Sequence, residues 1–253
     1  MGRARTTPQK ATPEERTKRT IARLEGLAEE LRRNIIYVKR PLVIEFSGTP
    51  KSGKTTTAHS LAMFLRRNHF KVRTIGESGS VSPLSNKCSL EFNVWTASSS
   101  LCWLLEALEK EKAGEFIVID RGLFDALAWT QWHADNNRMT VQEKRAMVGY
   151  HTLKRFCKLI DIVFFMTARP EVALAREHTG LLTKKEGTIM NRSVLEGLIE
   201  SFEKARRDYA KHFNRVEVID SSGLREINCA ARVVQATLRA LNSAIVWRLP
   251  LVR

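Results

Sequence analysis

From residue 41 onward, short unbroken apolar runs alternate with longer stretches whose apolar residues recur every three to four positions. The runs Leu42–Phe46, Lys71–Ile75, Phe116–Ile119, Ile162–Met166 and Val216–Ile219 are rich in Val, Ile and Phe and read as strands. Without polar alternation, such strands are expected to be buried on both faces, as in a helix-covered parallel sheet. Helical periodicity fills the intervals at Thr55–Arg67, Asn93–Lys112, Leu123–Ala134, Val141–Leu159, Arg192–His212 and Arg225–Leu241. Strand and helix in turn imply βαβ units. The pattern predicts an α/β fold of three layers around a mostly parallel sheet of about five strands.

Ahead of this domain (41–253), residues 1–40 read as a basic arm carrying one amphipathic helix. Residues 1–11 are basic and Thr-rich, the composition of a disordered tail. Thr12-Pro13-Glu14-Glu15 then resembles a helix start, with Thr as N-cap and Glu at the capping-box position. Ile21, Leu24, Leu27, Ala28 and Leu31 recur at helical spacing, so the helix should run to about Arg33. The arm holds eleven Lys/Arg against five Glu. One reading is a helix packed on the core with a solvated basic face; another is a contact for nucleic acid or a protein partner. Over the whole chain, 42 Lys/Arg against 27 Asp/Glu leave a charge of +15, which points to polyanionic partners.

Cysteine usage narrows the setting. Cys88, Cys102, Cys157 and Cys229 are far apart, with no C-x-x-C pair, which disfavours zinc and fits a reduced, cytoplasmic chain. No apolar run reaches membrane-spanning length. A homodimer is an option the sequence leaves open.

The chemistry concentrates in Gly48-Thr49-Pro50-Lys51-Ser52-Gly53-Lys54-Thr55, a full G-x-x-x-x-G-K-[ST] phosphate-binding loop, with Thr56 following. It lies between a predicted strand and a predicted helix, the context the motif requires. Small residues let the loop wrap closely around phosphates while its N–H groups point inward at a helix N-terminus. Lys54 would reach the terminal phosphates and the Thr55 hydroxyl would serve Mg²⁺. This is a nucleoside-triphosphate site, with ATP the expected nucleotide. No N-K-x-D guanine signature follows a later strand, since Asn86-Lys87-Cys88-Ser89 lacks the Asp and comes too early.

Beyond the loop the chain resembles the P-loop nucleoside and nucleotide kinases, close to deoxynucleoside and thymidylate kinases. Glu77 follows the second strand, where those kinases place an acid near the acceptor. Ile119-Asp120-Arg121-Gly122-Leu123-Phe124-Asp125 is similar to their [DE]-R-[SGY] motif. The resemblance implies that Asp120 bears on Mg²⁺ and that Arg121 contacts the acceptor, with an ion pair to Asp125 as its rival role. Phe165 to Arg176 resembles the strand-then-helix run leading into a lid near 178–192, so Arg176, Lys184, Lys185 and Arg192 are candidate phosphate clamps. Val218-Ile219-Asp220-Ser221-Ser222 resembles the final strand and the loop beside the adenine. The chain departs from thymidylate kinases at Pro50 and Lys51, and no thymine-reading pattern follows Asp125. Trp95, Trp103, Trp129 and Trp132 fall on helices as core residues, with Trp95 the first choice for stacking on a base.

The expectation is a Mg²⁺/ATP-dependent phosphotransferase acting on a nucleoside, nucleotide or similar small acceptor. Lys54 and Arg121 would neutralise charge, Thr55 and Asp120 would hold the metal, and Glu77 would activate the acceptor. The rivals are a regulatory ATPase that drives a partner and a polynucleotide kinase.

Overall fold

A computed structural model describes residues 12–246, so the tail expected at 1–11 lies outside the described residues. Strands β1 (Leu42–Gly48), β2 (Val72–Ile75), β3 (Phe116–Asp120), β4 (Ile162–Thr167) and β5 (Val216–Asp220) form one parallel sheet in the order β2-β3-β1-β4-β5. β1 lies at the centre, buried from end to end, with Ile44 opposite Val118 on one side and Ile162 on the other. The helices are α1 (Pro13–Asn34), α2 (Lys54–Arg67), α3 (Leu90–Lys110), α4 (Leu123–Asp135), α5 (Val141–His151), α6 (Lys154–Cys157), α7 (Pro170–Leu181), α8 (Arg192–Tyr209) and α9 (Glu226–Val246).

Successive β1 side chains point to opposite faces of the sheet. Leu42, Ile44 and Phe46 pack with Leu61 and Leu65 of α2 and Val233 and Leu238 of α9. Val43 faces the other way, into a layer with Leu104 of α3, Phe124 and Leu127 of α4, and Phe202 of α8. Glu45 and Ser47 share Val43's side by the same alternation, and both are buried. From β1 the chain runs to one edge of the sheet, and after β3 it crosses to the other. Open α/β sheets place their ligand crevice at the carboxyl ends beside such a reversal.

The arm helix forms as expected and joins the core. Thr12 and Glu15 make the reciprocal capping box, with Glu15 N–H donating to Thr12 Oγ1 at 3.2 Å and Thr12 N–H to Glu15 Oε2 at 2.8 Å. Leu24, Ala28 and Leu31 are buried in the layer that holds α9. Arg23 donates to Gln235 of α9 at 2.7 Å. Arg40 grips Asp161 with two nitrogens, at 2.7 and 3.0 Å, and Asp161 also accepts Val43 N–H at 2.9 Å, which anchors the entry into β1. Two of the arm's cations, Lys18 and Arg33, pair with Glu14 and Glu29 along the helix.

One expected helix is two. The periodicity of 141–159 is broken at Thr152-Leu153, where Leu153 takes an extended ψ of 121° and α6 restarts behind it. Neither glycine nor proline marks the break. The segment predicted as a lid also divides, because α7 continues through Leu181 and only 182–191 is irregular. No helix among the described residues is long and apolar enough to cross a membrane.

Candidate active site

β1 ends at Gly48, where φ is +133° and a Cβ would come 1.8 Å from the Met166 carbonyl oxygen, so only glycine fits. The loop then folds back, with Thr49 N–H donating to Met166 O at 3.1 Å, and runs into α2 with Gly53 as N-cap. A helix N-terminus with unsatisfied N–H groups beside a glycine-rich loop is an anion site. The hydroxyls of Thr49 and Ser52 are buried there without partners. Lys54 is buried with Nζ donating to Thr49 O at 2.7 Å. Burial, and then the Arg121 charge, press its pKa down to about 8. Thr56 is exposed in the first turn of α2, its carbonyl accepting from Ser60 Oγ at 3.0 Å.

α7 holds the outer side of this loop. Lys51, at φ +54°, pairs with Glu177 at 2.7 Å, and its carbonyl accepts from Arg176 at 2.9 Å. Arg176 also donates to the Ser221 hydroxyl and carbonyl, at 3.0 and 2.9 Å. Arg176 thus joins the phosphate loop to the loop after β5. Asp220 ends β5 exposed, accepting from the N–H and hydroxyl of Ser222 at 2.8 and 2.6 Å.

At the carboxyl end of β3, Asp120 Oδ2 accepts the Thr55 hydroxyl at 2.5 Å. Its other oxygen is buried without a hydrogen-bond partner. Burial raises the Asp120 pKa against the pull of Thr55 and Lys54. Two hard oxygen donors, one of them unpartnered, fit a small divalent cation such as Mg²⁺. The residue after Asp120 completes the cluster. Arg121 Nε lies 2.8 Å from Glu77 Oε1 and its Nη1 lies 2.9 Å from Asp125 Oδ2. Of the two roles weighed for it, the ion pair with Asp125 is formed. Asp125 ties this cluster back to the phosphate loop, because its Oδ1 accepts from Gly48 N–H at 3.0 Å and Ser47 Oγ at 3.1 Å.

Beside the cluster opens a cavity of about 300 Å³ lined on the loop side by Pro50, Glu77, Arg121 and Asp125. One stripe of α4, Asp125, Trp129 and His133, lines it at intervals of four residues. A stripe of α3, Phe92, Asn93, Thr96 and Ser100, faces it across the space. Asn93 is buried and donates to Thr130 Oγ1 at 3.2 Å, and His133 Nδ1 is buried without a partner. Burial and Arg138 hold His133 neutral, its pKa down to about 4.

Trp129 lines the cavity, whereas Trp95, the first choice for stacking on a base, lines a separate surface groove with Leu90, Val94 and Trp103. Trp95 cannot be chosen over Trp129 from helical placement alone, because the side a helix turns to the site is a tertiary property. Lys184 lies exposed between α7 and α8, and Arg192 pairs with Glu196 at 3.3 Å on the outside of α8. Asn93, His133 and Glu45 were not foreseen. The four-residue polar and aromatic spacing on α3 and α4 was the available signal.

The architecture matches solved structures over about four-fifths of the chain. A deoxyadenosine kinase from M. mycoides aligns with a TM-score of 0.59 at 15% identity, covering 79% of this chain and 100% of that one. A thymidylate kinase from Candida albicans aligns at 0.57 and 16%, covering 80% and 93%. The fold is that of the P-loop nucleoside and nucleotide kinases. By sequence, no family model and no curated protein matches the chain.

Proposed function

We propose that this protein is an ATP-dependent kinase that transfers the γ-phosphoryl group to a hydroxyl of a nucleoside or nucleotide held in the cavity between α3 and α4. The observation that carries this is the junction on the loop side of the cavity, where Glu77, Arg121 and Asp125 meet a phosphate loop presenting Lys54. An ATPase without a small acceptor needs no such cavity beside its phosphates. The kinase folds shared with the M. mycoides and Candida albicans enzymes support the same reading.

In this reading the loop N–H groups and Lys54 hold the triphosphate, and Arg176 anchors the loop's outer side. Thr55 and Asp120 would hold Mg²⁺, which supplies charge neutralisation at the phosphates when bound. Phe92 and Trp129 offer flat apolar walls to a ring, and Asn93 with neutral His133 offers polar edges to read it. Glu77, half-exposed on the loop side, takes the proton of the attacking hydroxyl, and Arg121 faces the charge that develops on the transferred group. Because Glu77 and Asp125 already balance Arg121, this side of the cavity favours an uncharged hydroxyl, as in a nucleoside, over an acceptor bearing a phosphate.

The test is a mass-spectrometric screen of the full chain with Mg²⁺, ATP and a panel of nucleosides and nucleoside monophosphates. One phosphorylated acceptor should appear in step with ADP. If ADP forms at one rate with and without every acceptor, and no phosphorylated nucleoside or nucleotide appears, the proposal fails.

A further inference from the structure

Glu45 stands in the middle of the central strand, fully buried, at a position where the sheet otherwise turns apolar side chains into the α3–α4–α8 layer. A carboxyl there is costly unless its hydrogen bonds are made. Among the described residues, all of them fall on one oxygen. Oε1 accepts the backbone N–H groups of Gly122, Phe124 and Asp125, at 3.1, 2.9 and 3.0 Å. Glu45 thereby caps α4 from a strand some eighty residues earlier, in place of Gly122, which sits at the N-cap with no side chain.

The capped turn is the one that carries Arg121. Arg121 has φ +66°, the left-handed region that disfavours any residue with a Cβ, so the surroundings must impose it. Its N–H donates to Phe46 O at 2.9 Å, its carbonyl accepts Ser100 Oγ at 3.0 Å, and the next N–H is the first held by Glu45. The last N–H held by Glu45 belongs to Asp125, which pairs with the Arg121 guanidinium. The fit is tight: a Cβ on Gly122 would lie 2.7 Å from Glu45 Cδ and Oε2.

We infer that Glu45 is a positioning residue for phosphoryl transfer, fixing the turn that holds the Arg121 guanidinium between Glu77 and Asp125 on the loop side of the cavity. The inference rests on the kinase reading for its consequence, but not for its geometry. A generic helix cap would be indifferent to Arg121; this one grips the peptide that follows it and the N–H of the residue that pairs with it. Burial also drives the Glu45 pKa up to about 8, so a neutral amide can replace the carboxyl while keeping the accepting oxygen.

The experiment compares Glu45→Gln, Glu45→Leu and Gly122→Ala in the full chain by two readouts. The first is steady-state transfer to the acceptor found in the screen. The second, independent of activity, is the ¹⁵N-detected Arg121 Nε–H resonance, assigned by its loss in Arg121→Lys. Glu45→Gln should stay within about threefold of the parent and keep the resonance. Glu45→Leu should lose about a hundredfold in kcat, a size typical of a misplaced transfer group, keep KM for ATP within about twofold, and lose the resonance. Gly122→Ala pushes on the same turn and should reproduce that split even if Glu45→Leu fails to fold. The inference is overturned if Gly122→Ala or a folded Glu45→Leu keeps the resonance. It is equally overturned if Glu45→Gln is as impaired as Glu45→Leu. Absence of any transferase activity in the parent would remove the kinase reading alone, leaving the resonance to decide the geometry.

Discussion

Thr55 and Asp120, 65 residues apart, meet through a 2.5 Å hydrogen bond at the carboxyl edge of the sheet. One residue comes from the first turn of α2 and the other from the end of β3, which pairs directly with β1. Their adjacency makes the phosphate loop and the strand-end acid one unit. Glu77 lies outside that unit, facing Arg121.

The two acids should therefore separate in function. Glu77→Gln should spare Mg²⁺-ATP binding and lower acceptor phosphorylation by roughly 10²–10⁴-fold, the range for a lost general base. Asp120→Asn should raise the Mg²⁺ concentration needed and depress both transfer and acceptor-free hydrolysis. Titration of Mg²⁺ against each variant, with and without acceptor, checks this. The assignment is reversed if Glu77→Gln moves the Mg²⁺ requirement and Asp120→Asn does not.

Lys54→Ala should fold, because among the described residues its side chain hydrogen-bonds only Thr49 O within its own loop, a contact of function rather than of the core. Transfer should fall by about 10²–10³-fold, as when a charge-stabilising donor is removed. Turnover like that of the parent would reject the loop as the phosphate site.

The cavity wall predicts an asymmetry between two tryptophans. Trp129→Leu should raise KM for the acceptor at least severalfold with little change in KM for ATP, since Trp129 lines the cavity. Trp95→Leu should leave both constants unchanged, because Trp95 lies in a separate groove. Equal effects of the two substitutions would contradict the acceptor position.

Stability should respond to pH in two opposite ways. Glu45 keeps its proton to about pH 8 in the fold but only to 4.5 in the open chain. Between those values the native state binds the extra proton, so this contribution is full below pH 4.5 and is lost as pH rises to 8. His133 and His151 are held neutral by burial down to about pH 4, against 6.5 when unfolded. Below pH 6.5 the unfolded chain takes up more protons, so their contribution is lost as pH falls from 6.5 to 4. In thermal melts, Glu45→Gln should gain on the parent as pH rises from 5 to 8. His151→Gln should gain on the parent as pH falls from 6.5 to 4.5. Melting curves that run parallel to the parent's in both windows would refute these charge states.

The arm helix should prove structural. Leu31 is fully buried among α9 residues, so Leu31→Ala should cost about 2–5 kcal/mol, measured by denaturant unfolding. A loss below about 0.5 kcal/mol, the range of surface substitutions, would mean that the helix does not dock in solution.

The sequence by itself determined the strand and helix alternation, the phosphate loop, the arm's capped helix and the three strand-end residues Glu77, Asp120 and Arg121. These are local matters: periodicity reports burial, and loop chemistry is written in contiguous residues. Tertiary structure decided which side chains share a space. Asp125 bridges Arg121 and Gly48, and Trp129 rather than Trp95 lines the cavity, because the crossover of the chain about β1 sets which stripes of α3 and α4 face each other. Glu45 was invisible for the same reason. In an apolar strand it reads as an exception, and only the turn of α4 brought against it, nearly eighty residues later, supplies the three N–H groups that make a carboxyl tolerable there.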